Sequence, residues 1–176
     1  MPKSALRQKM RDMKRQFTRQ QLEELSLPVV ERLKLRLAGA DTVYAYYSLP
    51  DEVDTRQLLD DLLREGKTVL LPKVVDGETM TWHPYEGRQS LRQGAFGIME
   101  PATEACGVVG EPQRSCILVP GVAFDGAGRR MGRGRGYYDR FLSVHPDIYK
   151  IGVCFGFQKV EAVPVDAHDV PVDEVI

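Results

Sequence analysis

The sequence predicts a single α/β domain over residues 1–176, with a mainly parallel central sheet, helices on both faces of that sheet and a basic helix at the N-terminus. Two observations predict this three-layer fold. Segments rich in β-branched and aromatic residues alternate with segments of helical periodicity, which is the pattern of β-α-β units. The length of 176 residues suits one domain with one core, and we find no linker or internal repeat that would divide it.

Two helices are predicted at the start of the chain. Apolar residues recur at helical intervals among many basic residues over Lys3–Leu25, which indicates a basic amphipathic helix. The second helix is predicted to begin at about Ser26, with Ser26 as its N-cap, Pro28 in its first turn and Gly39 at its end.

A first β-α-β unit follows these helices. It consists of a strand at Thr42–Tyr47, a helix at Asp54–Glu65 and a strand at Thr68–Leu71. Either Asp54 or Thr55 can cap the helix, and short loops suit a parallel crossover connection. The dipeptide Asp76-Gly77 then predicts a hairpin turn into a further strand.

A second unit of the same kind lies in the C-terminal half. It comprises a buried strand at Cys116–Val119, a helix at Tyr137–Val144 and a strand at Tyr149–Phe155. The intervening region Glu86–Ser115 is predicted to be mostly irregular. The tail Val170–Val175 is predicted to be an edge strand, because its proline cannot donate a hydrogen bond to a neighbouring strand.

Composition excludes several protein classes. Hydrophobic residues make up 43% and charged residues 28% of the chain, which is typical of globular proteins. Lys and Arg number 24 and Asp and Glu 25, so the net charge of −1 provides no general attraction to nucleic acids or acidic membranes. No apolar run approaches the roughly 18 residues of a transmembrane helix, and the N-terminus lacks a signal peptide's apolar core. We therefore expect a cytoplasmic protein, with a monomer favoured and no nucleic-acid or membrane partner.

Cysteines and histidines suggest neither a disulfide framework nor a zinc site. The three cysteines have no CxxC spacing, and the three histidines form no ligand or catalytic pattern with them. A reducing compartment fits this cysteine usage.

The loop Pro120–Asp139 between the second buried strand and its helix is the candidate site. Ligands of open α/β sheets bind beyond the carboxyl ends of the strands, where this loop lies. Glycines that allow close backbone approach alternate with arginines in the run Gly132-Arg133-Gly134-Arg135-Gly136. Guanidinium groups and the N-terminus of the following helix suit phosphate, and Asp139 could hold a Mg²⁺ ion. Neither GxxxxGK[ST] nor GxGxxG occurs in the loop, which disfavours a P-loop or a dinucleotide-binding fold.

The loop resembles the signature of the 5-formyltetrahydrofolate cyclo-ligase family. The similarity runs from Pro120-Gly121 through Phe124-Asp125 to Arg130–Asp139. Three further segments are similar to family elements, namely Lys3–Arg7, Ser48–Thr55 and Val172–Val175. The resemblance implies an enzyme that uses Mg-ATP to convert 5-formyltetrahydrofolate into 5,10-methenyltetrahydrofolate, with release of ADP and phosphate.

The resemblance also implies residue roles. The residues expected to contact ATP are Lys3, Arg7, Arg130, Met131, Gly132, Arg133, Gly134, Arg135, Gly136, Tyr137 and Tyr138. Those expected to border the folate are Glu52, Arg133, Gly134, Arg135, Gly136 and Tyr137. Asp139 and Asp173 are expected to serve the Mg²⁺ ion, and Arg133 and Arg135 to act as catalytic residues that neutralise the transferred phosphoryl group.

The apolar walls of the folate site are less well defined by the sequence. Tyr47 is the preferred candidate because it precedes the Ser48–Thr55 segment. The further candidates are Tyr46, Met80, Trp82, Phe96 and Ile98. Such residues near strands are more often part of the core.

Two other functions stay open at this stage. The basic helix and the loop Pro120–Asp139, which we call the glycine/arginine loop, could bind RNA, although the net charge of −1 gives this alternative little support. A kinase acting on another small molecule would also use a phosphate-binding loop. The sequence further predicts that replacing Arg133 or Asp139 by Ala cripples turnover and leaves the fold largely intact.

Overall fold

The structure is a computed structural model that describes residues 1–94 and 97–176. Its helices are α1 (Lys3–Lys14), α2 (Arg19–Leu37), α3 (Arg56–Arg64) and α4 (Tyr137–Val144). Its strands are β1 (Thr42–Tyr44), β2 (Thr68–Val74), β3 (Met80–Pro84), β4 (Leu91–Gln93), β5 (Met99–Pro101), β6 (Ser115–Pro120), β7 (Ala123–Phe124), β8 (Arg130–Met131), β9 (Tyr149–Val153) and β10 (Glu174–Val175). Phe96 lies outside the described residues.

The central sheet confirms the predicted parallel architecture. Its six strands are ordered β10-β9-β6-β1-β2-β3, and every neighbouring pair is parallel except β2 and β3. The crossovers β1-α3-β2 and β6-α4-β9 are the two predicted β-α-β units. Because parallel strands end at the same edge of a sheet, the segments that follow β1, β2 and β6 meet at one edge, where ligands of such sheets bind.

Both faces of the sheet are covered, because neighbouring residues of each strand enter different cores. Val43 of β1 packs with the cluster formed by α2 and α3, whereas the next residue, Tyr44, packs with the cluster that contains α4. Leu118 and Ile117 of β6 divide in the same way. These four side chains are fully buried, and burying a large apolar side chain contributes about 1.5–3 kcal/mol.

The predicted boundary between the first two helices is wrong. Helix α1 ends at Lys14 and α2 begins at Arg19, well before Ser26. The Thr18 hydroxyl accepts a hydrogen bond from the Gln21 N–H at 3.1 Å, and the Gln21 side chain accepts one from the Thr18 N–H at 2.8 Å. This reciprocal capping box starts the helix at Thr18, and Pro28 lies inside α2 rather than in its first turn.

Ser26 has a different role from the predicted N-cap. It is buried inside α2, where its hydroxyl donates to the Leu22 carbonyl at 2.8 Å and accepts from the Asp54 N–H at 2.9 Å. Ser26 therefore joins α2 to the segment that precedes α3.

We expect Ser26→Ala to lower the free energy of unfolding by about 1–2 kcal/mol, because it leaves the Asp54 N–H without its acceptor. Urea denaturation measures this change. Ser143→Ala is the matched control, since Ser143 makes an equivalent bond to a helical carbonyl on an exposed surface. Equal losses of unfolding free energy in the two variants would show that the hydrogen bond from the Asp54 N–H to Ser26 does not stabilise the protein.

The other predicted elements are present, but their details differ in places. The predicted strand Thr42–Tyr47 ends at Tyr44, and Thr55 occupies the N-cap position of α3 without a side-chain capping bond. Gly66, which follows α3, has φ 81°, in the left-handed region that glycine readily adopts. The Asp76 carboxylate accepts from the backbone N–H groups of Glu78 and Thr79, which stabilises the turn between β2 and β3. The region 86–115 adds the short antiparallel pair β4–β5, and β10 forms the expected edge strand.

Helix α1 covers the base of the glycine/arginine loop. Leu6 and Met10 pack against Ala123, Met131 and Val163, which belong to or flank the β7–β8 hairpin. This contact brings the basic face of α1 to the edge of the sheet where the loop lies. Within the described ranges, no helix combines the length and apolar character needed to cross a membrane.

Candidate active site

A cavity of about 600 Å³ opens at the carboxyl edge of the parallel strands. It is lined by Lys3, Arg7, Glu52, Val74, Ile98, Pro120, Gly121, Arg130, Met131, Gly132, Arg133, Gly134, Arg135, Gly136, Tyr137, Tyr138, Asp139, Asp166 and Asp169. The cavity thus brings together residues from α1, the segment after β1 and the glycine/arginine loop. Five of the predicted site residues that the structure describes do not line it, namely Tyr46, Tyr47, Met80, Trp82 and Asp173.

The glycines of the loop allow backbone conformations that other residues rarely adopt. Gly134 has φ 104° and Gly136 has φ 73°. A Cβ atom on Gly134 would lie 3.4 Å from the Arg7 guanidinium. Gly136 is the N-cap of α4, and the first N–H groups of a helix have no acceptor within it. The loop therefore presents backbone N–H groups beside arginine side chains, an arrangement suited to phosphate.

Helix α1 contributes two cations to the cavity. Arg7 donates from Nε to the Gly132 carbonyl at 3.1 Å and so fastens α1 to the loop. Lys3 Nζ lies 2.7 Å from Asp166 and 2.5 Å from Asp169. Burial alone would lower the pKa of Lys3, but its hydrogen bonds to these two carboxylates raise the pKa, so Lys3 stays charged.

Arg130 and Asp139 form a buried ion pair in the wall of the cavity. Arg130 Nη2 donates to Asp139 Oδ1 at 2.8 Å, and only 4% of the arginine side chain is exposed. The same carboxylate oxygen accepts from the Val170 N–H at 3.1 Å. Within the part of the chain that the structure describes, the buried Arg130 Nε has no hydrogen-bond partner. Such an atom costs free energy unless a ligand or water satisfies it.

Arg133 connects the loop to the segment after β1. Its Nη2 lies 3.1 Å from Glu52 Oε1 and 3.2 Å from Asp51 Oδ1. The other Glu52 oxygen accepts from the Leu49 N–H at 2.9 Å. Burial raises the pKa of Glu52, and its contacts with Leu49 and Arg133 only partly oppose this. For Asp51, burial is outweighed by Lys14 and Arg133, which lower its pKa.

The raised pKa of Glu52 predicts a pH-dependent effect of Glu52→Gln on stability. An acid whose pKa is raised by folding binds its proton more tightly in the folded state, so the parental protein loses stability as the pH rises above about 4.5, the ordinary pKa. We therefore expect Glu52→Gln to unfold at a higher temperature at neutral pH, with a difference that disappears in acid. Thermal unfolding against pH measures this, with exposed Glu161→Gln as the control. If Glu52→Gln raised the unfolding temperature equally at low pH, burial of the charged Glu52 carboxylate would not be the cause of the stabilisation.

The remaining loop residues differ in their surroundings. Arg135 is exposed, and among the described residues its guanidinium has no hydrogen-bond or ion-pair partner. Tyr137 donates from its hydroxyl to the Asp76 carbonyl at 2.8 Å, which ties the start of α4 to the β2–β3 turn. Tyr138 packs edge-on against Trp82 at 6.4 Å between ring centroids. Trp82 is the chain's single tryptophan, so its fluorescence can report on ligands that contact Tyr138.

The apolar wall of the cavity differs from the one expected. Tyr47 packs beside the core of α2 and α3, and Trp82 is buried in the core on the α4 side. Ile98, one of the further candidates, lines the cavity together with Val74 and Pro120. The sequence placed Pro120 in the candidate loop without assigning it to the apolar wall, and it did not single out Val74. Val74 could have been identified as the last residue of a strand that ends at the ligand-binding edge.

The acidic residues of the cavity also differ from those expected. The Asp173 carboxylate accepts from the Lys150 N–H at 2.8 Å and lines a separate depression beside Asp125. The structure therefore does not bring Asp173 together with Asp139. Asp169 does line the cavity, and the N–H of the residue that follows it donates to Asp139. The sequence carried no specific signal for Asp169.

These carboxylates do not form a metal cage. Over residues 1–94 and 97–176, no group of three or more His, Cys, Asp or Glu side chains is arranged to hold a metal ion. Mg²⁺ commonly takes one or two carboxylates together with water and substrate phosphates. The residues present thus fit only a Mg²⁺ ion that arrives with a nucleotide. Asp139 and Asp169 line the cavity and could each offer it a carboxylate oxygen, although they also pair with Arg130 and Lys3.

Comparisons with known proteins point to one family. The model of the 5-formyltetrahydrofolate cyclo-ligase family matches residues 1–176. The 5-formyltetrahydrofolate cyclo-ligase of Escherichia coli K12 is 30% identical over 172 residues, which cover 94% of this chain and 94% of that protein. The solved structure of Aquifex aeolicus 5,10-methenyltetrahydrofolate synthetase is 37% identical, with a TM-score of 0.81 over 99% of this chain and 89% of that one. The corresponding Mycoplasma pneumoniae structure is 25% identical, with a TM-score of 0.78 over 100% and 98% of the two chains.

Proposed function

Because the chain belongs to the 5-formyltetrahydrofolate cyclo-ligase family, we propose that it uses Mg-ATP to convert 5-formyltetrahydrofolate into 5,10-methenyltetrahydrofolate, with release of ADP and phosphate. One structural observation supports this proposal independently of the family membership. A single cavity of about 600 Å³ joins the glycine/arginine loop to Glu52 and an apolar wall, so two ligands can meet in it. Its volume lies within the roughly 300–1,000 Å³ usual for ligand sites.

ATP would occupy the end of the cavity formed by α1 and the loop. Lys3 and Arg7 supply charge from α1, while Arg130–Tyr138 supplies guanidinium groups and backbone N–H groups. Two donors that lack a partner among the described residues support this assignment, namely the Nε of buried Arg130 and the guanidinium of Arg135. Phosphate oxygens could satisfy both.

The folate would occupy the end lined by Glu52, Val74, Ile98 and Pro120. The apolar side chains suit its ring systems. The Glu52 side chain is only 14% exposed and can accept hydrogen bonds from N–H groups of the pterin, which need partners once they leave water.

The proposed reaction activates a poor leaving group. The formyl oxygen attacks the γ-phosphorus of ATP, the bond from that phosphorus to the bridging oxygen breaks, and ADP departs. N10 of the folate then attacks the formyl carbon, the carbon–oxygen bond breaks with loss of phosphate, and N10 loses its proton. Arg133 and Arg135 would neutralise charge on the transferred group, a contribution that depends on their being held in place before reaction.

Mg²⁺, when bound, would neutralise phosphate charge and help to align the transferred group. Asp139 is the residue we propose to hold it. The position of Asp169 in the same cavity favours Asp169 over Asp173 as the second acid. Asp173 could take part only if its segment moved away from Lys150.

The experiment that tests this proposal mixes the protein with Mg-ATP and 5-formyltetrahydrofolate and follows the near-ultraviolet absorbance of the methenyl product. We expect product with the complete mixture and none without ATP. ATP turnover without methenyl formation would indicate a kinase for another small molecule. An inert, folded protein that binds RNA with steep salt dependence would instead support the RNA-binding alternative.

A further inference from the structure

Lys14, at the C-terminal end of α1, makes an ion pair that lies just behind the cavity. Its Nζ lies 3.2 Å from Asp51 Oδ2, and only 13% of the lysine side chain is exposed. Lys14 does not line the cavity itself. The helix that brings Lys3 and Arg7 to the cavity thus also reaches Asp51, on the segment after β1.

Asp51 is shared between two cations. One carboxylate oxygen contacts Lys14, and the other lies 3.2 Å from Arg133 Nη2. Glu52 contacts the same Arg133 nitrogen. Positive and negative groups therefore alternate from Lys14 through Asp51 and Arg133 to Glu52.

This arrangement leaves part of Arg133 available to a ligand. Both protein contacts of its guanidinium use Nη2, and within the described residues Nε and Nη1 have no protein partner. If Lys14 were absent, Arg133 would be the one cation in contact with Asp51 among the residues that the structure describes. The uncompensated Asp51 charge would then attract the guanidinium more strongly and draw it away from the cavity.

We propose that Lys14 is a positioning residue for the phosphoryl transfer: it neutralises Asp51 and thereby keeps the Arg133 guanidinium free to face the transferred phosphate. This inference rests on the proposed function. It assigns Lys14 no contact with either substrate, only control over how tightly the protein holds Arg133.

A purely structural role for the ion pair is a weaker account of the same contact. The Asp51 side chain is 46% exposed, and ion pairs with an exposed member contribute little to stability. The effect of removing Lys14 should therefore be seen in the rate more than in unfolding.

The test compares Lys14→Met, Asp51→Asn and the double variant, with Lys9→Met as a matched control because Lys9 is exposed on the same helix. We expect Lys14→Met to lower kcat about tenfold, with KM for 5-formyltetrahydrofolate within about twofold of parental. The kcat of the double variant should recover to within about threefold of the parental value. The amide that replaces the Asp51 carboxylate has no charge and therefore does not draw Arg133 away from the cavity. Lys14→Arg should also restore the rate.

A second readout separates this inference from the proposed function. Binding of Mg-ATP, followed by Trp82 fluorescence, should weaken about threefold in Lys14→Met and recover in the double variant. If the parental protein formed no methenyl product, the proposed function would fail, and ATP binding would still decide the role of Lys14. Equal behaviour of Lys14→Met and Lys9→Met in both assays, or a double variant no better than Lys14→Met, would overturn the inference.

Discussion

Arg133→Ala is expected to lower kcat for methenyl formation by about 10²–10³-fold, the usual effect of removing a donor that neutralises charge in a transition state. Arg133 lines the cavity and contacts Glu52 and Asp51 through one nitrogen, Nη2. Its side chain is 56% exposed, so the loss should leave the fold intact. The near-ultraviolet absorbance of the product gives the rate, and thermal unfolding checks the fold.

Two further variants make this experiment specific for Arg133. Arg133→Lys keeps the positive charge but loses the planar guanidinium group. Its kcat should therefore lie between those of the parental protein and Arg133→Ala. Arg15→Ala, whose side chain is 76% exposed on the surface, is the control for loss of an arginine. A parental rate in Arg133→Ala would remove this residue from the mechanism.

Asp139→Ala is expected both to lower turnover by about 10²-fold or more and to destabilise the protein by about 3 kcal/mol. The structure thus changes the expectation drawn from the sequence, which was that this variant would leave the fold largely intact. Asp139 is the ion-pair partner of Arg130, whose side chain is only 4% exposed. Replacing Asp139 by Ala therefore leaves the buried Arg130 cation unpaired. Urea denaturation measures the loss of stability.

Asp139→Asn separates the two effects. Its side-chain oxygen can still accept hydrogen bonds from Arg130 and Val170, so Asp139→Asn should lose less stability than Asp139→Ala, although the Arg130 charge loses its counterion in both variants. The lost negative charge should still slow turnover and raise the Mg²⁺ concentration needed for half-maximal rate. Asp147→Asn, at an exposed acid without a partner among the described residues, serves as the control. An Asp139→Asn enzyme with parental rate and Mg²⁺ dependence would exclude Asp139 from the metal site.

The elements that the sequence predicted well are those specified by neighbouring residues. Helix α4 has the predicted bounds, Tyr137–Val144, and the turn at Asp76-Gly77 is present. The boundary between α1 and α2 is also encoded locally, because Thr18 and Gln21 form a capping box. It was missed because apolar periodicity continues through the break between the helices.

Short segments of sequence were enough to predict the parallel α/β fold and to identify the glycine/arginine loop as a concentration of positive charge with a close-approaching backbone, because strand patterning, glycine freedom and arginine charge are local properties. The distant groups that share the cavity with that loop became known only from the tertiary packing. Lys3 meets Asp166 and Asp169, more than 160 residues away, while Asp173 pairs with Lys150. Lys14 and Asp51 were likewise invisible in the sequence as neighbours of Arg133. Such contacts depend on how α1 and the C-terminal segment pack across the sheet edge, and no local pattern specifies that packing.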